Sequence, residues 1–352
     1  MSAASRFSLL DYAKSLGAAL AGAAAAVWLQ LPLPWFTGPL IAVAAANMLG
    51  AGLPSPPRAR DGGQWIIGTA LGLYFTPDVV RALLQLAPWV GLTTLAMIAL
   101  GLVAAWVLKR ATGESGTTTF FAMAIGGASE MAAQAERYGG RVDRVAAAHS
   151  LRIMLVALIV PFALQWAGVQ GTDPYRPAAQ RFDPIGLVVL AAVTGGGAIA
   201  LSRLRLPNVW MIGPLLVAGA LSAGGYAFSS LPRAVIDGGQ LLIGVALGSR
   251  FSPEFFRAAP RYLTAVALIT LGLLGVAALY GWWLAGHAGV PVPTAILATT
   301  PGGIGEMAIT AKVLALGAPI VAAFHSVRLA ALVLLIGGLF RVVRRVHRRR
   351  LR

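Results

Sequence analysis

Two glutamates lie in stretches that are otherwise apolar and rich in glycine. Residues 125–132 read IGGASEMA and residues 300–309 read TPGGIGEMAI, so Glu130 and Glu306 follow paired glycines at the same spacing. An ionisable group within an apolar span costs about 2.5–3.5 kcal/mol on insertion scales, so it tends to pair or to face water. Both glutamates are therefore candidates for binding a coupling cation, either a proton or a sodium ion.

A histidine and an arginine follow each glutamate. His149 lies three residues before Arg152, and His325 lies three residues before Arg328, so each couple shares one helix face. Two interpretations stay open for the arginines: buried ion pairs with the glutamates, or binding of an anionic substrate. The histidines could couple protons near neutral pH or simply hydrogen-bond the backbone.

The paired glycines predict a chain that turns back inside the bilayer, because glycine is free in φ. The arms after the two turns would then point helix N-termini at a cavity, and such termini bind anions. Close helix packing is the alternative role for these glycines. The predicted substrate-binding residues are Gly126, Gly127, Ser129, Glu130, Arg152, Gly302, Gly303, Gly305, Glu306 and Arg328, and the predicted coupling residues are Glu130, Glu306, His149 and His325.

The composition identifies the class of protein that must hold these residues. Of 352 residues, 58% are hydrophobic and 11% are charged, and the mean hydropathy is +0.77. In soluble proteins about a quarter of the residues are charged. Stretches such as 89–108 and 263–284 carry no charge over the length that spans a bilayer. We therefore expect an all-α, polytopic membrane protein.

The chain repeats itself at a constant offset of 176 residues, which relates residue 61 to 237, 126 to 302, 130 to 306 and 152 to 328. We predict a first membrane repeat over 13–168, a linker over 169–183, a second repeat over 184–342 and a basic cytoplasmic tail over 343–352. Each repeat holds six apolar segments, and the fifth segment, 116–136 or 293–312, contains the glycine pair.

The distribution of basic residues predicts the topology. If the fifth segment of each repeat re-enters, five segments cross per repeat, and an odd number of crossings makes the repeats inverted. Both termini and the arginine-rich loops then lie on the cytoplasmic side of a bacterial inner membrane, as positive charges prefer. Single charges remain outside at Arg81, Arg233 and Lys312, while the loop arginines inside include Arg203 and Arg205.

Two smaller motifs also recur in both repeats. Asp61 and Asp237 each precede two glycines and an apolar segment, which is typical of a helix N-cap. The runs 68–72 and 244–248 place two glycines four residues apart on one helix face, which favours close packing of helices.

Several function classes are excluded on composition. The net charge of +16 comes largely from loops and from seven arginines in the last twelve residues, and no loop is long enough for a nucleic-acid reader domain. The chain has no cysteine, and its four histidines are dispersed. We therefore expect no nucleic-acid partner, no cofactor, no metal site and no catalytic residues.

The paired motifs GGASEMA and PGGIGEMA, HSLR and HSVR, and the two Gly-x-Ala-Leu-Gly runs resemble those of the AbrB-type duplicated integral membrane proteins. The resemblance covers about residues 20–340. Members carry the names AbrB family transcriptional regulator and ammonia monooxygenase, so the resemblance implies an inner-membrane protein assigned to regulation of gene expression. The family is also similar to antiporter and anion-transporter folds with broken helices, which implies transport.

The leading hypothesis from these observations is a secondary transporter of a small anionic solute, whose site lies between two glycine-tipped broken helices. A membrane-embedded regulator that acts indirectly on gene expression is the alternative, and an enzyme ranks last. The expected partners are the lipid bilayer, the solute and a proton or sodium ion, with a homodimer as an open option.

Overall fold

The computed structural model describes residues 7–172, 175–203, 208–257 and 259–349. Helices and the segments that connect them make up these ranges. In chain order they are α1 Leu9–Trp28, α2 Pro34–Met48, α3 Ala59–Gly72, α4 Pro77–Thr112, α5 Gly116–Met123, α6 Ala128–Arg137, α7 Val142–Trp166, α8 Pro184–Ser202, α9 Val209–Ala223, α10 Arg233–Gly248, α11 Pro253–Arg257, α12 Pro260–Ala288, α13 Val292–Thr299, α14 Ile304–Val313 and α15 Ala318–Arg349.

Several helices have the length and composition of membrane spans. Among the described residues five helical stretches qualify: Pro77–Thr112, Val142–Trp166, Pro184–Ser202, Pro260–Ala288 and Ala318–Arg345. The protein is therefore an all-α, polytopic membrane protein, as the composition predicts. The segment predicted as a tail continues α15 as helix to Arg349, while residues 350–352 and the loop residue Arg205 lie outside the described ranges.

The helix boundaries follow the spacing found in the sequence. Four pairs of helices begin 176 residues apart, at 77 and 253, 116 and 292, 128 and 304, and 142 and 318. The fifth segment of each half is interrupted where the glycine pairs lie, between α5 and α6 and between α13 and α14. These short helices have eight or ten residues, so each covers about 12–15 Å, about half of a bilayer core.

The chain forms two compact units, and each contains parts of both halves. Unit 1 comprises 1–84, 157–259 and 305–320, and unit 2 comprises 85–156, 260–304 and 321–352. Unit 1 thus holds α1 to α3, α8 to α11 and most of α14. Unit 2 holds most of α4, all of α5 and α6, the first part of α7, and then α12, α13 and most of α15.

Glycines bring the helices of unit 1 into backbone contact. A Cβ atom at Gly244 or Gly248 of α10 would lie 2.6 or 2.8 Å from the carbonyl oxygen of Phe36 or Leu40 in α2. In the equivalent pair, a Cβ at Gly72 of α3 would lie 2.8 Å from the Leu215 carbonyl oxygen of α9. Because a side chain cannot fit there, the predicted packing role of these runs is confirmed.

Helices α3 and α10 cross at equivalent residues. A Cβ atom at Gly63 would lie 2.6 Å from the carbonyl oxygen of Gly239. On either side of this point, Gly62 faces Leu242 and Gly239 faces Ile66. Gly63 also meets Ile243, one turn beyond Gly239, so the two helices cross at their equivalent glycines.

Two expectations about helix ends are wrong. Asp61 and Asp237 are not N-caps, because α3 begins at Ala59 and α10 begins at Arg233. The residues at 233–236 are Arg, Ala, Val and Ile, and none of them stops a helix. Asp237 consequently lies one turn inside α10 and projects from its side.

Candidate functional site

The first interrupted segment is a re-entrant hairpin within unit 2. The backbone N–H of Arg141, just after α6, donates to the Thr118 hydroxyl near the start of α5 at 3.1 Å. Between these ends, the ring of Tyr138 stacks on that of Phe121 with centroids 5.9 Å apart. Because α5 begins where α6 ends, the chain enters and leaves on one side, as the glycine pair predicts.

His149 on α7 holds the end of α5. Its side chain is fully buried, and Nε2 lies 2.9 Å from the carbonyl oxygen of Phe121. A carbonyl oxygen can only accept, so Nε2 carries the hydrogen. The other nitrogen, Nδ1, therefore accepts from Nη2 of Arg152 at 3.0 Å. These two bonds define a neutral imidazole with one tautomer.

Arg152 caps the C-terminus of α5. It is 2% exposed, and its Nη2 donates to the Ala124 carbonyl oxygen at 3.1 Å. Its Nη1 lies 3.5 Å from the carbonyl oxygens of Ala122 and Met123. The last carbonyls of a helix have no partner within the helix and form the negative end of its dipole. A guanidinium group therefore stabilises the break between α5 and α6.

The second half repeats this arrangement with shorter bonds. Arg328 donates from Nη1 to the Thr300 carbonyl oxygen at 2.9 Å and from Nη2 to that of Gly302 at 2.7 Å. Nη2 also donates to Nδ1 of His325 at 2.9 Å, and Nε2 of His325 donates to the Leu297 carbonyl oxygen at 2.9 Å. The bonds to Leu297, Thr300 and His325 thus have counterparts in the first half, whereas Arg152 forms no bond to Gly126, the equivalent of Gly302, within the described part of the chain.

The two arginines place positive charge in the interior of unit 2. Arg328 is 4% exposed, and its guanidinium group lies close enough to that of Arg152 for electrostatic repulsion. Among the described residues, their hydrogen-bond acceptors are carbonyl oxygens and imidazole nitrogens rather than carboxylates. The Nε atom of each is buried and has no partner within the described chain.

Glu130 lies at the positive end of α6. It occupies the third position of that helix, whose N-cap is Gly127, and its carboxylate folds back so closely that a Cβ atom at Gly127 would collide with it. Gly127 has φ −69°, so the turn does not use the left-handed freedom of glycine here. The predicted reason for Gly127, its freedom in φ, is therefore wrong. Glycine is required there because a side chain would collide with the Glu130 carboxylate.

The remaining predicted site residues are divided between the units. Gly126, Gly302 and Gly303 lie in unit 2, whereas Gly305 and Glu306 lie in unit 1. There the Glu306 carboxylate interacts electrostatically with Arg250, and the Met211 side chain lies against Gly305. Ser129 belongs to α6, but its side chain is outside the described part of the structure.

Sequence reasoning missed the groups that hold the arginines. The acceptors are backbone carbonyls of residues 122–124, 300 and 302, and carbonyls are present at every position of a chain. No group of three or more His, Cys, Asp or Glu side chains with metal-binding geometry occurs in the described ranges.

The protein-family model with the description "Transition state regulatory protein AbrB" matches residues 35–344. The chain belongs to the AbrB family. It is similar to "Putative regulator AbrB" of Escherichia coli (strain K12), with 27% identity over 309 residues that cover 87% of this chain and 88% of the relative. It is also similar to "Uncharacterized protein YhjN" of Bacillus subtilis (strain 168), with 25% identity over 302 residues, 81% of this chain and 78% of the relative. The family resemblance of the repeated motifs is thus confirmed.

Proposed function

We propose that this AbrB-family protein is a secondary transporter of a small anion, which binds beside Arg152 and Arg328 in unit 2. The observation that carries the proposal is the pair of buried guanidinium groups whose charges repel each other. Within the described chain these groups hydrogen-bond neutral partners. The site requires no catalytic step, cofactor or metal.

An anion would stabilise this arrangement for two physical reasons. Hydrogen bonds to carbonyl oxygens and to a neutral imidazole orient a guanidinium group but leave its charge in place. A buried charge without a counter-charge costs several kcal/mol, and two like charges add their repulsion. An anion offsets both costs, and the unpartnered Nε–H groups of Arg152 and Arg328 are donors for it.

Glu130 is the proposed coupling residue of unit 2. Its carboxylate already occupies the N-terminal end of α6 at Gly127, and the free N–H groups of that end are also a favourable position for an anion. A proton or a sodium ion on Glu130 would neutralise the competing charge, so cation binding would favour anion binding. His149 and His325 are positioning residues in this scheme, because both ring nitrogens are already engaged.

We further propose that the two halves are inverted copies, with five crossings each and both termini on the cytoplasmic side of a bacterial inner membrane. The contact of α3 with α10 at the equivalent residues Gly63 and Gly239 supports it, because inverted repeats are related by a pseudo-twofold axis. The chain lacks cysteine, so Gly140→Cys and Ala288→Cys can be labelled singly in whole cells. We expect Gly140→Cys to be protected from an impermeant reagent and Ala288→Cys to react; equal reaction of both would contradict the topology.

A membrane-embedded regulator is the second candidate, because the family description and the Escherichia coli relative both carry a regulatory name. Such a protein would act on gene expression indirectly, through the concentration of the solute that it moves or binds, and nucleic acid is not a proposed partner. A deletion strain whose transcriptional change is reversed when anion uptake is restored by an unrelated carrier would support this indirect action, and a change that persists would contradict it.

The transporter proposal is tested with purified protein in detergent and in liposomes. Thermal shifts are measured with acetate, succinate, citrate and several amino acids, and ammonium chloride serves as the cation control. We expect a small carboxylate to stabilise the protein and to enter liposomes when a proton or sodium gradient is imposed.

Matched variants distinguish a binding role of the arginines from a structural one. Arg152→Lys and Arg328→Lys should reduce the anion-dependent shift, whereas Arg81→Lys should not, because the Arg81 side chain is 74% exposed and pairs with Asp78. Full retention of the shift by both buried-site variants would make the arginines structural and would remove the basis of the proposal.

A further inference from the structure

Unit 1 contains a cavity of about 850 Å³ that the arginine site does not include. All of its lining residues belong to unit 1. Most of the lining is apolar, with Trp35, Ile67, Leu71 and Ile309 among the side chains. Binding sites for small molecules have this size and combine apolar walls with a few polar groups.

Four polar groups on α10 and α14 line the cavity, and one of them, Arg233, lies at its exposed rim. Asp237 and Gln240 lie three residues apart on one face of α10, and Lys312 lies near the end of α14. Gln240 is only 5% exposed and borders the cavity. Its amide has two donor hydrogens and an acceptor oxygen, so it can hydrogen-bond a ligand there.

The two charges in the cavity are opposite in sign but are not joined to each other. Asp237 forms a 4.0 Å ion pair with Arg233, whose side chain is 95% exposed at the rim. Lys312 interacts with Asp237 through space, while its Nζ lies 5.3 Å from the centroid of the Tyr74 ring. A carboxylate and an ammonium group thus face one cavity, and each can still bind an opposite charge.

The fold does not require a cation at the position of Lys312. The residue 176 positions earlier, in the equivalent helix α6, is Glu136. Asp61 and Gln64 correspond to Asp237 and Gln240, so the first repeat keeps the acid and the amide but has an acid at the residue equivalent to Lys312. The combination of acid, amide and base therefore belongs to this cavity alone among the two repeats.

We propose that the cavity is a second binding site, which takes a small zwitterion with an apolar side chain, as in an aliphatic α-amino acid. Asp237 binds the ammonium group, Lys312 binds the carboxylate, Gln240 hydrogen-bonds the polar end, and the apolar wall packs against the side chain. The site is independent of the anion site in unit 2.

Three probes of one shape test the requirement for both charges. Leucine carries both groups, 3-methylbutylamine lacks the carboxylate, and 4-methylpentanoate lacks the ammonium group. Calorimetric titration of the purified wild-type protein should show binding of leucine that is about ten- to hundredfold tighter than that of either single-charge probe, since one charge-assisted hydrogen bond contributes about 1.5–3 kcal/mol. Equal affinities, or no binding of leucine, would overturn the proposal without any variant.

Substitutions then locate the binding of leucine. Asp237→Asn and Lys312→Met should each weaken it about ten- to hundredfold, while Lys14→Met, at a side chain in α1 that is 58% exposed, should leave it unchanged. If a folded Asp237→Asn protein, checked by its thermal transition, binds leucine like the wild type, the ligand is bound elsewhere and the proposal fails. A weakening that Lys14→Met shares would also refute it.

Discussion

Replacing each buried arginine by lysine should destabilise the second half more than the first. Arg328 makes three hydrogen bonds of 2.9, 2.7 and 2.9 Å, two of them from Nη2, so a lysine nitrogen at that position loses the bond to Thr300. One lost bond from a charged donor corresponds to about 1.5–3 kcal/mol. Arg152 makes two bonds of 3.1 and 3.0 Å, and its other two contacts are 3.5 Å long. Bonds of that length contribute little, and both short bonds come from Nη2, so a lysine nitrogen at that position keeps them and Arg152→Lys should cost less than Arg328→Lys.

The measurement is the thermal unfolding midpoint of each variant in the same detergent, followed by tryptophan fluorescence. We expect Arg328→Lys to lower the midpoint by several degrees more than Arg152→Lys, and Arg81→Lys to match the wild type. The two sites are each other's control, because both arginines bond a histidine and the equivalent carbonyl of Ala124 or Thr300 but differ in their remaining bonds. Equal losses, or a larger loss for Arg152→Lys, would show that these hydrogen bonds do not determine the stability of the two breaks.

Three further predictions concern packing and hydrogen bonding. Gly244→Ala should lower the unfolding midpoint, because its Cβ would approach a carbonyl oxygen of α2 to 2.6 Å. Gly91→Ala is the control, since its Cβ would have nothing within 4 Å, and it should leave the midpoint unchanged or raise it. The same midpoint for both variants would contradict the packing argument. Gly127→Ala should displace the Glu130 carboxylate and increase its modification by a carbodiimide, while Gly126→Ala, which meets only a flexible methionine side chain, should not. His149→Phe should destabilise the protein more than His149→Gln, because only glutamine can donate to the α5 carbonyl and accept from the neighbouring arginine; equal midpoints would refute this.

The sequence was sufficient to predict where the fifth segments break. A glycine pair followed by a glutamate in an apolar stretch conflicts with an unbroken membrane helix, and the same conflict recurs 176 residues later. The structure places the end of α5 and the start of α6 around Gly126 and Gly127. Repetition made the prediction strong, because each motif supported the interpretation of the other.

The partners of the arginines could not be predicted from residue types. Glutamates nearby in sequence made ion pairs an open interpretation, yet the described partners of Arg152 and Arg328 are carbonyl oxygens and imidazoles. An interrupted helix exposes its last carbonyls regardless of their side chains. Lys312 was interpreted as an isolated loop charge for a related reason, since only the folded helices bring it to the same cavity as Asp237.

The histidines explain why the charge of the arginines remains available to a ligand. A carboxylate in the place of His149 would orient Arg152 equally well, but it would also neutralise the guanidinium group. A neutral imidazole instead accepts one hydrogen bond from the arginine at Nδ1, and its Nε2–H donates to the α5 backbone. The two bonds fix the arginine relative to α5 and leave its charge in place. The same construction at His325 and Arg328 gives each half a rigidly held cation whose counter-charge can come from outside the protein. Substituting glutamate for either histidine keeps an acceptor for the arginine but loses the donor to the carbonyl, so it should lower the unfolding midpoint and abolish anion binding. A folded His325→Glu protein that still binds the anion with wild-type affinity would show that the free charge is not what recognises it.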